Sequence, residues 1–259
     1  MRKEVRAQTT IFIIIAIVIV AVIALVVALI NRGTLDAFFQ KPAMPIPSEY
    51  IEKCAKDASE DAIKIMLPQG GYISPTNYRM YNSQRVSYLC YNYNYYTPCV
   101  NQEPVYFRHL EKEIESYIAP KLNECFSKLK ENYETAGYTT NIAEDNEMKV
   151  NITLKPKQLE IKVERKLEVL RGNETLRFEK ADSKFDSPLY ALARTAIEII
   201  NQEAVYCNFE TVGYGLLYPE VKVTMTKLSE GPKIYMIQDK KTGKELNMAI
   251  RGCIIPAGG

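Results

Sequence analysis

The chain has 259 residues, 47% of them hydrophobic and 25% charged, with a formal net charge of +2. Those proportions exclude wholesale disorder, and a charge this small with no basic stripe excludes a nucleic-acid binder. The one His, His109, excludes multi-His metal sites and argues against a His-based triad. There is no Trp, but there are 18 Tyr and six Cys, unevenly placed.

Residues 1–10 form a basic head with Arg2, Lys3 and Arg6 against Glu4. From Ile11 to Ile30 every position is apolar, with no Gly, Pro or charge. At ~1.5 Å per residue such a helix is roughly 30 Å long, the thickness of a bilayer's hydrocarbon core. A cleavable secretory signal would have a shorter apolar region, about 7–15 residues, ending in an A-x-A-like site. Leu29-Ile30-Asn31-Arg32 offers none. The expectation is one transmembrane helix over 11–31, oriented by its flanking cations with the N-terminus cytoplasmic and the rest extracytoplasmic. Residues 9–259 carry equal numbers of acidic and basic groups, so the outer part has no bias toward a polyanion.

Residues 32–47 read as a stalk, because Pro42, Pro45 and Pro47 keep the membrane helix from running on as one rod. A helical, Tyr/Cys-rich region is expected over 48–137. Ile51, Cys54, Ala58, Ala62 and Ile65 give one apolar face, stopped at Pro68 and Gly70-Gly71. Residues 72–103 are turn-rich and hold nine Tyr if Tyr106 is included. A long amphipathic segment follows, with Leu110, Ile114, Tyr117, Ile118, Leu122, Cys125, Phe126 and Leu129 on its buried side. Pro120 should kink it or divide it in two.

An α+β sheet region is expected over 138–259. Alternating apolar residues predict strands at Val150–Leu154 and Leu159–Val169, with Arg165 breaking the pattern, and another strand near 174–180. Ser187-Pro188 starts a helix reaching about Val205. Strands follow near 218–227, 233–239 and 245–251, the last two joined by a turn at Lys240-Lys241-Thr242-Gly243. The fold class is therefore α+β: one N-terminal transmembrane helix, then a disulfide-stapled ectodomain of antiparallel sheet with packed helices.

All six Cys lie beyond the span. Three bridges suit an oxidising space, although six Cys allow 15 connectivities. Cys90 and Cys99 enclose a short loop and form the natural local pair. Cys54 and Cys125 lie on helices in similar surroundings (YIEKC and KLNEC) and suit a helix–helix clasp, which leaves Cys207 and Cys253. No C-x2-C knuckle supports zinc. Asn151 and Asn173 head glycosylation sequons.

Tyr88, Tyr91, Tyr93, Tyr95 and Tyr96 crowd the Cys90–Cys99 loop. They form either a recognition surface of rigid amphipathic rings or the filling of a small cystine-tied subdomain. Ser127-Lys128-Leu129-Lys130 and Lys241-Thr242-Gly243 match two of the three elements of serine penicillin-recognising enzymes, but S-x-N is missing and K-T-G reads as a turn. His109 reads as an exposed ring on a helix. Glu111, Glu113 and Glu115, like Glu144, Asp145 and Glu147, read as ordinary charged faces. No catalytic residue, metal site or cofactor is expected.

Arg6-Ala7-Gln8-Thr9-Thr10-Ile11-Phe12, followed by the Ile-rich run, resembles the class III signal segment of archaeal type IV pilin-like proteins. The resemblance implies processing by a prepilin peptidase between Ala7 and Gln8. Ala7, Gln8 and Thr10 match, while Phe12 stands where that family carries an acidic residue. The Q-T-T start, Tyr50 to Cys54 and Gly70 to Ile73 resemble a group of membrane-anchored surface proteins of small-genome archaea that carries no known activity. These readings imply a non-enzymatic surface protein for cell contact or envelope assembly, whose partners are the lipid bilayer and surface proteins, glycans or itself. A pilin-like filament subunit is the alternative, and a membrane-tethered envelope hydrolase is a third.

Overall fold

The structure is a computed structural model describing residues 4–31, 45–141, 147–171 and 174–255; in the first of these segments it describes the side chains of Phe12 and residues 14–28. The chain forms two compact units, Met1–Pro45 and Ile46–Gly259.

In the first unit, helix α1 (Glu4–Asn31) runs unbroken. Its described side chains are all exposed. Among the residues described in full, no helix is long and apolar enough to cross a membrane. Ile11, Ile13, Leu29 and Ile30, which complete the expected span, have side chains outside that set. Most of the expected stalk also lies outside the described residues.

The second unit is α+β, with antiparallel sheets and packed helices. Helix α2 (Pro47–Met66) opens with Pro47 in its first turn, where the missing N–H removes only an orphan donor. Its face of Ile51, Ala58, Ala62 and Met66 is buried. A 3₁₀ turn (Leu67–Gln69) and the left-handed Gly70 end it. Gly71, also at positive φ, lies so close to Tyr106 and Leu110 that a Cβ would sit 2.6 and 2.5 Å from them. Only glycine fits there.

Helix α3 (Tyr106–Thr135) is a single helix containing Pro120, not two. Pro120 is exposed; its ring faces solvent, and the one hydrogen bond lost there does not outweigh the opposite face. On that face Leu110, Ile114, Ile118, Leu122, Phe126 and Leu129 are fully buried, each contributing about 2 kcal/mol. Helices α2 and α3 pack together and are joined by Cys54–Cys125 (Cα–Cα 6.5 Å).

The turn-rich stretch holds strands β1 (Tyr78–Tyr81), β2 (Gln84–Tyr91) and β3 (Val100–Asn101). Beyond α3 come β4 (Thr139–Asn141), β5 (Lys149–Lys155), β6 (Gln158–Arg171) and β7 (Glu174–Asp186). Helices α4 (Leu189–Tyr206) and α5 (Thr211–Leu217) precede β8 (Val221–Lys227), β9 (Lys233–Asp239) and β10 (Glu245–Arg251).

One sheet is ordered β1-β2-β10-β9-β8, with β3 also on β2. Within it β2 and β10 run parallel, and the remaining pairs are antiparallel. Helix α4 covers β9 and β10. The other sheet is built on β6, which pairs with β7 along one edge and with β5 and β4 along the other. The β6–β7 ladder shifts register between Glu164 and Leu167, which is where Arg165 interrupts the apolar alternation. Its guanidinium sits 5.0 Å from the Phe126 ring centroid and donates to Asn123 at 2.9 Å.

Candidate functional site

The Cys90–Cys99 loop is seated on the chain's last described residues. Cys90 and Cys99 are bonded (Cα–Cα 5.3 Å), as are Cys207 and Cys253 (Cα–Cα 5.9 Å). Asn92 N donates to Arg251 O at 2.7 Å, Cys253 N to Thr97 O at 2.7 Å, and Tyr96 N to Ile254 O at 3.0 Å. The two segments approach so closely at Gly252 that a Cβ would lie 2.7 Å from Cys99 N. Within the loop, Asn92 Nδ2 donates to Pro98 O at 2.7 Å and Asn94 N to Asn92 Oδ1 at 2.9 Å.

This seating separates the five tyrosines. Tyr88 is buried with Val86, Ile234 and Ala249, and Tyr91 packs edge-on against it with ring centroids 5.1 Å apart. Tyr93, at 78% exposure, and Tyr95 and Tyr96 face solvent. Arg251 lies among the rings, 5.6, 5.5 and 5.8 Å from the centroids of Tyr91, Tyr93 and Tyr95, and donates to Asn92 O. The result is a patch of aromatic faces and hydroxyls beside a fixed cation, on a loop closed by one bridge and seated on a segment tied down by another. Such a surface makes contacts with little ordering cost.

Sequence reasoning missed a second cluster. Glu203, 1% exposed, accepts from Lys233 Nζ through both carboxylate oxygens (2.7 and 2.8 Å) and from the Tyr235 hydroxyl. Lys233 also donates to Cys207 O at 2.6 Å, so the cluster braces the Cys207–Cys253 bridge. The available signal was periodicity, since Glu203 follows Leu189, Leu192, Ala196 and Ile200 on the buried face of α4. Its donors stand thirty and more residues away, where no local pattern reaches.

His109 is not the exposed ring expected. Its side chain is 14% exposed, 4.2 Å from the Tyr72 ring, with Nε2 3.0 Å from Gly71 O and Nδ1 3.7 Å from Glu103. Tyr72 donates to Glu103, and Tyr106 to Gly70 O at 3.1 Å. Two of the charged-face glutamates also have specific partners. Glu111 accepts from Leu154 N at 3.0 Å, and Glu113 from Ile73 N at 2.7 Å, docking α3 on the strand and loop beside it. Glu144 and Asp145 lie outside the described residues.

Burial, reinforced by the carboxylates of Glu103 and Glu203, raises the Tyr72 and Tyr235 hydroxyls above the ordinary tyrosine value; burial alone dominates at Tyr106. Unfolded tyrosines titrate near pH ~10. The native state holds these protons longer, so its stability is full below that pH and is lost as pH rises beyond it. Thermal melts across the alkaline range should show Tm falling steeply above about pH 10. Tyr235→Phe should make that fall shallower, and an unchanged slope counts against it.

A cavity of about 550 Å³ lies between the start of α4, α5 and the β9–β10 turn, walled by Tyr190, Tyr214 and Tyr218. Lys241 and Thr242 of the K-T-G turn border it, but Thr242 N and Oγ1 are committed to Asp239 Oδ1 at 2.7 and 2.6 Å. Ser127 and Lys130 do not join them. Ser127 donates to Asn123 O at 3.0 Å on α3, and Lys130 sits 3.8 Å from Glu134. The two halves of the penicillin-enzyme pattern therefore do not converge on this cavity. Among the described residues, no group of three or more His, Cys, Asp or Glu gathers as a metal site.

Asn151 is exposed on β5, its Oδ1 accepting from Thr153 Oγ1 at 3.2 Å. Asn173 lies outside the described residues. Ala7 and Gln8 fall within α1, their side chains outside the described set. Compared with family models, curated proteins and solved structures, the chain matches none.

Proposed function

We propose that the chain is a single-pass membrane-anchored, extracytoplasmic, non-enzymatic protein that makes envelope or cell-surface contacts through Tyr93 and Tyr95, beside Arg251, and the exposed Tyr96 on the same loop. The exposed tyrosines of the cystine-closed loop carry this reading. Aromatic residues left in solvent on a braced loop do no packing for the fold, and rigid tyrosines are efficient contact residues. The anchor is supported by the uninterrupted apolar run and the helical backbone through it, and the orientation by the basic head. Three disulfides suit an oxidising exterior. Asn151, exposed on its strand, takes a glycan in this setting.

The test compares wild-type chain with Y93A/Y95A/Y96A for binding to isolated cell envelopes. The variant should lose about tenfold or more in affinity while its circular dichroism and disulfides stay unchanged; equal binding would overturn the assignment. Protease shaving of intact cells should remove Ile46–Gly259, and protection until lysis would reverse the topology. A second reading, a pilin-like subunit, rests on the match of Ala7, Gln8 and Thr10 to a class III signal segment. It requires a mature chain beginning at Gln8, which N-terminal mass spectrometry reads directly.

A further inference from the structure

The second unit displays a concentration of apolar side chains that its own fold does not use. Val205 and Tyr206 end α4, and Val212, Leu216 and Leu217 lie on α5; all five are between 63% and 80% exposed. Val212 and Leu216 are four residues apart and share one helix face. Helix α5 has no charged residue. Its inward residue is Tyr214, tilted against Phe209 (5.2 Å) and Tyr218 (4.6 Å) and hydrogen-bonded to Thr195 at 3.1 Å. Glu210 caps its start, accepting from Val212 N at 2.8 Å. The helix is thus fixed from beneath, and the fold would tolerate polar residues on its outer side.

Resting on the membrane-anchored reading, we infer that this face is a second lipid contact, dipping into the headgroup boundary of the bilayer that holds α1. The chain between the two units argues for lipid. Residues 32–44 are thirteen positions, which reach at most about 45 Å even fully extended. A bilayer is therefore always within about one domain diameter of the unit. At that effective concentration a shallow contact is occupied that would be negligible for a free helix of seven residues. The chemistry agrees: branched apolar groups without charge insert, and Tyr206 pairs a ring with a hydroxyl, as residues at the headgroup level do.

The chain contains no Trp, so L216W supplies a single fluorescent reporter at an exposed position. Full chain carrying L216W is reconstituted into zwitterionic phospholipid vesicles with plain or acyl-brominated lipid. Emission should drop about twofold or more with bromine, and aqueous iodide should quench it weakly. Adding V212D and L217D should abolish the bromine effect while the chain still floats with the vesicles. A Trp quenched by iodide and indifferent to bromine would overturn the inference with the anchor intact. Shielding from both would overturn it too, by putting a second copy or another protein on the face. A chain that fails to float would remove the anchor, and the inference with it.

Discussion

Replacing Cys54 and Cys125 together with Ala should lower the unfolding free energy by about 4 kcal/mol. The bridge closes a long loop, its ends 71 residues apart. In the chain-entropy description, cutting it frees the unfolded ensemble by about that amount, against about 3 kcal/mol for the nine-residue separation of Cys90–Cys99. The ordering is what matters. Denaturant midpoints of the two double variants should rank with loop length, provided m stays constant. A larger loss from the short loop would show that its bridge acts on the native state, through the seat against residues 251–254. Such a result would still leave helices α2 and α3 packed through their apolar faces.

Lys233→Met should cost about 3–5 kcal/mol, because it leaves the Glu203 carboxylate buried with one hydroxyl donor in place of an ion pair. Pairing it with Glu203→Gln should recover most of that loss, since an amide needs no counter-charge and Tyr235 still donates to it. Chemical denaturation of the two single variants and the double variant gives the coupling. Additive losses would mean that Lys233 acts through its bond to Cys207 O rather than through the carboxylate.

Much of the second unit was legible because its elements follow simple periods. Helix α3 buries the predicted stripe, with only Tyr117 and Cys125 half-covered. The three C-terminal strands fall where expected, and the three cysteine pairs are those reached from loop length and helix placement. The losses have physical causes. Strand β2 buries Val86 to Cys90 consecutively because side chains pack on both of its faces. Val86 and Tyr88 lie in one apolar cluster, and α4 and the 3₁₀ turn are also in contact with the strand. A strand covered on both faces shows no period of two. Helix α5 was missed because seven residues containing Gly213 and Gly215 carry too little propensity to be read. Of the candidate site, the tyrosines were visible in the sequence, but Arg251 was not. It reaches them through the pairing of β10 with β2, a contact set by topology alone.

That pairing also dictates when the molecule can be finished. Residues 84–91 are synthesised well before their partner, 245–251. Until then β2 has an unsatisfied edge and Arg251 cannot reach the tyrosines. Maturation of the surface loop therefore waits for a distant strand to be recruited, a slow, non-local pairing. During that interval the nascent polypeptide needs shielding from its neighbours.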